Sequence, residues 1–249
     1  MRAVRRLTGA KLLDYAHSSH PGWEIPFARC RPDLYVTADP EIADMARKEV
    51  PDLRVEIVPQ GVDCELFRPD VTPRRLDLNR PIALFVGALS PEKRPDLAIE
   101  AAAARGMSLV IAGEGPLADE IDAQASALLG EGRYKRLAIE RQELPQLYAA
   151  ADAVILTSPL ESGALVVLEA MACNRAVVTA ADRVRLELVG DAGVLVPEQT
   201  PAAYAAALGR AQDTDWGDRP RQRALKFSVD RQAERFGDLI EDLAGDPQP

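Results

Sequence analysis

Short apolar runs alternate with segments of helical character over most of the second two thirds of the chain. The apolar runs predict strands at residues 82–86, 108–112, 135–139, 153–156, 176–179 and 194–196, and the intervening segments predict helices at 94–105, 117–129, 144–151, 165–172, 183–189 and 201–212. Apolar strands joined by helices are typical of a parallel sheet that helices cover on both faces. We therefore predict an α/β fold with a doubly wound, Rossmann-like parallel sheet.

Fewer elements are predicted before this region. The pattern predicts strands at residues 11–15, 33–37 and 54–58. A helix should begin at Asp39 and Pro40, because Asp is a preferred N-cap and Pro a preferred first helical residue. The proline-rich residues 67–81 favour an interdomain linker. Residues 228–243 predict an amphipathic terminal helix.

The composition is that of an ordinary globular protein, with 47% hydrophobic and 28% charged residues among 249. The net charge of −9 argues against general binding to nucleic acids or anionic membranes, since both require basic surfaces. Cys30, Cys64 and Cys173 lack disulfide or metal-ligand spacing, which fits a reducing cytosol. No stretch approaches the ~20 apolar residues of a membrane span, and residues 1–6 lack the apolar core of a signal peptide. We expect a cytoplasmic protein.

Two carboxylates, Glu161 and Glu169, are separated by seven residues across a predicted strand-to-helix junction. Glu161 follows the strand at 153–156 and so lies at the carboxyl edge of the sheet, where ligands of open α/β sheets bind. Glu169 lies further along the following helix, at ~1.5 Å of rise per residue, where it can contact another part of the same ligand. This arrangement predicts a site for a sugar nucleotide.

The segment from Glu161 to Glu169, followed by Ala170-Met171-Ala172-Cys173, resembles the signature of family 4 glycosyltransferases, which have the two-domain GT-B fold. Other segments resemble the family in the same order: 58–63 with 67–69, 85–93, 110–116 and 147–152. The resemblance covers residues 54 to about 208. It implies a retaining glycosyltransferase that moves a sugar from a nucleoside-diphosphate sugar to an unidentified acceptor, without a cofactor and without a metal.

The resemblance assigns Lys93 to the diphosphate, where its ammonium would offset the charge of the leaving group. A solvated lysine at a helix start is the alternative. The family carries an arginine where this chain has Ala88, so the paired hydrogen bonds of a guanidinium are missing there. Arg94 could substitute for it.

The helix after Glu161 would bind phosphate through its free backbone N–H groups and the positive end of its dipole. The residues concerned are Ser162, Gly163, Ala164, Leu165 and Val166. The family often has an aromatic residue and a glycine at Gly163 and Ala164.

The resemblance further implies that Glu169 accepts hydrogen bonds from the ribose hydroxyls and that Glu161 positions the transferred sugar and stabilises charge. A single helix glutamate, taken alone, is usually structural. His17 would lie near the reacting phosphate, with a packing or surface histidine as the alternative. Turn glycines Gly87, Gly113 and Gly115 would permit close approach of the ligand, although such glycines alone are a weak signal. Residues 137–142 would contact the base.

The family comparison divides the chain into a partial acceptor-side domain with its linker (1–72), a nucleotide-sugar domain (73–225) and a terminal helix and tail (226–249). The family's glycine-rich acceptor loop has no counterpart. Three explanations stay open: a split enzyme, a truncated protein, or a chain that has lost transfer activity. A noncatalytic nucleotide-sugar-binding subunit is the main alternative function. Phosphorylase and epimerase activities are the others, and the pyridoxal-phosphate lysine motif of a phosphorylase is missing.

A partial domain predicts partners. We expect a homo-oligomer or a complex with a chain that supplies the missing half, formed through an apolar face on Leu34, Tyr35, Val36 and the terminal helix. Since many enzymes of the family act on lipid-linked acceptors, peripheral membrane attachment is an alternative to a solvated basic segment. The basic segment would attach through Met1, Arg2, Arg5, Arg6 and Lys11.

Overall fold

The computed structural model describes residues 10–245 of the chain, which form two compact units. The first unit takes in the chain up to Gly61, the short segment Glu161–Gly163 and the chain from Val229 onward. The second unit takes in Val62–Leu160 and Ala164–Ser228.

The first unit contains a parallel sheet, the small sheet, with strand order β1-β2-β3. Its elements are β1 (Leu13–Ala16), α1 (Pro21–Arg29), β2 (Leu34–Thr37), α2 (Pro40–Glu49) and β3 (Val55–Ile57), together with the terminal helix (Val229–Gly245). Asp39 caps α2 as predicted, because its side chain accepts the backbone N–H of Glu41 at 2.8 Å.

The expected apolar face on β2 is not exposed, and that prediction is wrong. Leu34, Tyr35 and Val36 are completely buried. Successive side chains of a strand point to opposite faces. Tyr35 therefore packs with residues of α1 and α2, whereas Leu34 and Val36 pack against Leu239 and Leu243 of the terminal helix.

The second unit is built around a parallel sheet of six strands within the described residues, the large sheet. Its strands are β4 (Ile82–Val86), β5 (Ser108–Ala112), β6 (Tyr134–Leu137), β7 (Ala153–Leu156), β8 (Val177–Ala180) and β9 (Val194–Val196). Their order is β6-β5-β4-β7-β8-β9, and every neighbouring pair is parallel. The chain winds outward in both directions from the β4/β7 pair, which makes that pair the switch point of the sheet. The predicted doubly wound α/β fold is confirmed.

Helices cover both faces of the large sheet. They are α3 (Pro95–Arg105), α4 (Ala118–Leu129), α5 (Leu144–Ala150), α6 (Leu165–Ala172), α7 (Arg183–Val189), α8 (Pro201–Asp213) and α9 (Arg219–Ala224). Leu84 of β4 belongs to the core shared with α5 and α6, whereas its neighbours Ala83 and Phe85 belong to the core shared with α3 and α8. The central strands β4 and β7 are apolar throughout, as expected where both faces of a strand are covered.

Helices α1 and α9 are not predicted by the sequence pattern. Pro26 lies inside α1, where it removes a backbone donor, and α9 is short and rich in arginine. The other predicted elements begin and end within about two residues of the observed bounds.

The proline-rich segment 67–81 groups with the second unit, and the change of unit falls between Gly61 and Val62. Phe67 and Leu76 are buried in its core. The guanidinium of Arg221 donates to the carbonyl oxygens of Cys64, Phe67 and Ala172 at 2.7–3.0 Å. This segment is thus packed into the second unit.

Candidate functional site

Two glycine-containing turns meet at the carboxyl ends of β4 and β5. The Gly87 N–H donates to the Ala112 carbonyl at 3.1 Å. A Cβ atom on Gly113 would lie 1.9 Å from the carbonyl oxygen of Gly87, and one on Gly115 would lie 2.5 Å from that of Leu89. Both positions require glycine because no side chain fits between the two backbones. The turns therefore leave bare backbone at the edge of the sheet.

Lys93 lies in the loop between β4 and α3, and the backbone of that loop is attached to the end of β7. The Thr157 hydroxyl oxygen is 2.6 Å from the Arg94 carbonyl oxygen and 3.1 Å from that of Lys93. Thr157 is completely buried. This contact joins the two strands of the switch point through their following loops.

Arg94 is engaged within its own helix. Its guanidinium forms a fork on the Asp96 carboxylate, with nitrogen–oxygen distances of 2.9–3.1 Å. This contact raises the pKa of Arg94. The side chain expected to replace the missing arginine at Ala88 is thus bound to the first turn of α3.

Helix α6 begins directly after Ala164, which adopts a left-handed backbone conformation with φ 44° and ψ 43°. The Ala164 carbonyl already accepts the N–H groups of Val167 and Leu168. The first N–H groups of a helix have no acceptor inside it, so those of Leu165 and Val166 are available to a ligand. The positive end of the helix dipole lies at the same place.

Glu169 occupies the buried side of α6 and is only 5% exposed. The Tyr148 hydroxyl donates to its Oε2 at 3.0 Å, and Nη2 of Arg141 lies 3.3 Å from its Oε1. Burial raises the pKa of Glu169, while the Tyr148 hydrogen bond and the Arg141 charge oppose that rise. The guanidinium of Arg141 also lies over the Phe67 ring, 5.3 Å from its centroid. The carboxylate is thereby held in one orientation.

Tyr148 and Arg141 were not identified as site residues from the sequence. Both lie in predicted segments, Tyr148 in the helix before the signature and Arg141 in residues 137–142. Their spacing from Glu169 is not a recognisable motif, because the contacts join separate elements of the fold. The sequence could have indicated only that Glu169, if buried, must have a hydrogen-bond donor close to it.

The remaining predicted residues belong to the first unit. His17 comes directly after β1, and its ring lies 4.2 Å from that of Tyr15 in an edge-to-face arrangement. Glu161 and Ser162 are partly buried and Gly163 is buried. A Cβ atom on Gly163 would lie 2.3 Å from Cγ of Gln60, so an aromatic residue at this position requires Gln60 to move. The glycine turns, Lys93 and Glu169 group with the second unit.

Among residues 10–245, we find no group of three or more His, Cys, Asp or Glu side chains arranged to hold a metal ion. In the same part of the chain, no helix is long and apolar enough to cross a membrane. Of the residues considered for peripheral attachment, Met1, Arg2, Arg5 and Arg6 lie outside the described residues, and Lys11 is partly buried.

Residues 70–224, more than half of the chain, match the model of the family described as "Glycosyl transferases group 1". The chain belongs to the group 1 glycosyltransferases. It is 36% identical to the D-inositol 3-phosphate glycosyltransferase of Salinispora tropica over 212 residues, which cover 74% of this chain and 43% of the relative. The Kineococcus radiotolerans enzyme of the same name is 33% identical, over 78% of this chain and 52% of the relative. The chain thus spans about half the length of these curated relatives.

Solved structures show the same fold. A sucrose-phosphate synthase from Thermosynechococcus elongatus has a TM-score of 0.80 and 22% identity, over 97% of this chain and 70% of that one. The Anabaena protein HepE, solved in complex with UDP and glucose, has a TM-score of 0.77 and 20% identity, over 96% of this chain and 74% of that one. The predicted family resemblance and fold class are confirmed.

Proposed function

We propose that this group 1 glycosyltransferase chain binds a nucleoside-diphosphate sugar at the carboxyl edge of the large sheet and serves a retaining, family 4 type transfer. The observation that carries the proposal is the buried Glu169 carboxylate, held by Tyr148 and Arg141 on a helix whose N-terminus lies at the switch point. Ligands of doubly wound sheets bind at such a point.

The diphosphate would lie at the N-terminus of α6. Backbone N–H groups of Leu165 and Val166, with those of Ser162 to Ala164 before them, suit phosphate oxygens. The turns at Gly87, Gly113 and Gly115 would present backbone without side chains to the ligand. At Gly113 and Gly115 the place of a Cβ atom is taken by the carbonyl groups of Gly87 and Leu89. Lys93 would balance the negative charge that develops as the sugar leaves.

The ribose would be held by Glu169. A carboxylate oxygen has lone pairs beyond the one that accepts a single hydrogen bond, so Oε1 and Oε2 can accept ribose hydroxyls while Tyr148 and Arg141 stay in contact. Orientation of the carboxylate before the ligand arrives reduces the entropy lost on binding.

Glu161 would position the transferred sugar, and His17 would contribute from the acceptor side. In same-face transfer, the acceptor hydroxyl oxygen bonds to the anomeric carbon as the bond from that carbon to the diphosphate breaks, and the hydroxyl proton passes to the departing phosphate oxygen. The protein then needs to stabilise charge rather than supply a nucleophile. The proposed domains are 1–72 for acceptor binding, 73–225 for the donor and 226–249 as terminal helix, with an oligomer or partner chain completing the acceptor side.

A second candidate function is a noncatalytic nucleotide-sugar-binding subunit. It is favoured by Ala88, where the family carries an arginine, and by the engagement of Arg94 with Asp96. Neither position 88 nor Arg94 then offers a guanidinium fork to the leaving diphosphate. Donor binding without any transfer, by the chain together with its partner, would favour this candidate.

Titration calorimetry with UDP, GDP and ADP and their sugar conjugates tests the proposal. We expect one base series to bind, and Glu169→Ala to weaken its binding by about 1 to 3 kcal/mol through lost hydrogen bonds. Glu120→Ala, an exposed glutamate on α4, is the matched control and should bind like the wild type. No binding of any of these ligands by folded protein would overturn the proposed function.

A further inference from the structure

Arg185 is the bulkiest fully buried side chain among the described residues, at 0% exposure. It lies in the first turn of α7. Arginine is almost never fully buried unless its charge is paired. Its partner here is Asp182, the N-cap of the same helix, whose Oδ2 lies 2.5 Å from Nη2 of Arg185. The other oxygen, Oδ1, accepts the Arg185 backbone N–H at 2.7 Å.

Besides this ion pair, the guanidinium donates hydrogen bonds to the loop after β7 and to β8. Nη1 donates to the Ser158 carbonyl at 2.8 Å and to the Thr179 hydroxyl at 3.2 Å, and Nη2 donates to the Pro159 carbonyl at 2.9 Å. Two consecutive loop carbonyls are therefore held by one planar group. A flexible ammonium could not reproduce this geometry, because it lacks the rigid fork of a guanidinium.

The same loop is held on its other side by Thr157, whose hydroxyl contacts the carbonyl oxygens of Lys93 and Arg94. Residues 157–159 are thus fixed both to the Lys93 loop and to α7. Leu160 ends this stretch of the second unit, and Glu161 is the next residue of the chain. The path of the backbone up to Glu161 depends on these buried polar contacts.

We propose that Arg185 is a positioning residue for recognition of the donor's sugar, acting through the Ser158 and Pro159 carbonyls that fix the loop leading to Glu161. The proposal rests on the proposed function of Glu161. A purely stabilising arginine would affect the whole second unit when removed. A positioning arginine affects the loop and the sugar, and leaves the nucleoside-diphosphate contacts of Glu169 and Lys93 in place.

The first measurement concerns the loop alone and needs no ligand. A spin label at Leu160→Cys, in a Cys30→Ser background because Cys30 is exposed and Cys64 and Cys173 are buried, reports loop mobility by electron paramagnetic resonance. We expect Arg185→Met to sharpen the spectrum and Arg185→Lys to give an intermediate one. Arg221→Met, which removes carbonyl contacts at the other end of α6, is the control and should leave the spectrum unchanged. An unchanged spectrum in folded Arg185→Met would overturn the proposal.

The second measurement concerns the sugar. The gain from the sugar is the ratio of the Kd of the nucleoside diphosphate to the Kd of its sugar conjugate. In the full chain, Arg185→Met should reduce this ratio about fivefold or more, while the Kd of the nucleoside diphosphate itself changes less than about twofold. Arg185→Lys should restore part of the gain. Equal loss for both ligands, or loss for neither, would contradict the positioning role. Absence of all binding by the wild-type chain would instead overturn the proposed function, and the spin-label spectra would still decide whether Arg185 orders the loop.

Discussion

The two sides of the switch point are built by different means. On the side of β4 and β5, the turns fit together through bare backbone, since Gly113 lies against Gly87 with no room for a side chain. On the side of β7 and α6, buried polar side chains fix the structure, with Tyr148 and Arg141 on Glu169. The first side requires glycine, because a Cβ atom would clash with the facing backbone. The second side requires that its buried polar groups are hydrogen-bonded. Substitutions on the two sides should therefore destabilise the protein for different physical reasons.

The largest effect is expected on the glycine side. Gly113→Ala places a methyl group 1.9 Å from the Gly87 carbonyl oxygen, and backbone on both sides must move. We expect a loss of about 3 kcal/mol in the free energy of unfolding, measured by urea denaturation. Gly237→Ala, at a helix position with nothing within 4 Å, is the control and should stabilise by about 0.5 to 1 kcal/mol. Equal stability of Gly113→Ala and wild type would refute the close-fit account.

The polar side should respond to pH. Tyr148→Phe removes the donor to Glu169 and should cost about 2 kcal/mol at pH 7. Burial already raises the pKa of Glu169, and loss of this hydrogen bond raises it further. A carboxyl whose pKa is higher in the folded state destabilises that state as the pH rises from the unfolded pKa towards the folded one. The cost should therefore be full at neutral pH, shrink as the pH falls through the raised pKa of Glu169, and be smallest by about pH 4.3, the ordinary value.

Denaturation of Tyr148→Phe at several pH values measures this dependence. Tyr204→Phe serves as its control, because the Tyr204 hydroxyl donates to the neutral Gln199 amide oxygen. The control should lose stability by the same amount at each pH. A cost of Tyr148→Phe that does not change between acidic and neutral pH would contradict the account.

The smallest effect is expected at Ala164, the residue directly before α6. Its left-handed conformation suits glycine, the residue that the family often carries there. Ala164→Gly should stabilise the protein by about 1 kcal/mol, because the strain of a Cβ atom in this conformation is relieved. Ala206→Gly, at an exposed position inside α8, should destabilise by about 1 kcal/mol. Thermal unfolding of both variants shows whether each one is more or less stable than the wild type. Destabilisation by Ala164→Gly would contradict the presence of backbone strain at Ala164.

The difference between the two sides also explains what the sequence could predict. The large sheet was predictable because strands such as β4 and β7 are apolar on both faces, and the glycine turns because Gly87, Gly113 and Gly115 are visible as residues. The orientation of Glu169 by Tyr148 and Arg141 was not predictable, since it joins α5, α6 and the segment before them only after folding.

Other features depended equally on tertiary context. The exposed face expected on β2 is buried because the terminal helix, almost two hundred residues later in the chain, packs against Leu34 and Val36. In the sequence, Arg185 is one arginine near the start of a short helix, and an arginine in such a position is usually exposed to solvent. Its burial becomes evident only when the loop carbonyls of Ser158 and Pro159 are placed beside it.

The most direct test of a nucleotide-sugar site at the switch point is a backbone amide NMR titration of the isotope-labelled chain with the nucleoside diphosphate that binds best. The account predicts that amide signals from both sides move together and saturate at one Kd, namely those of Gly87 and Gly113 on one side and those of Leu165 and Val166 on the other. Glu169→Ala should weaken binding and so raise that shared Kd. Saturable shifts confined to residues away from the carboxyl edge of the large sheet, or no shifts at millimolar ligand, would contradict it.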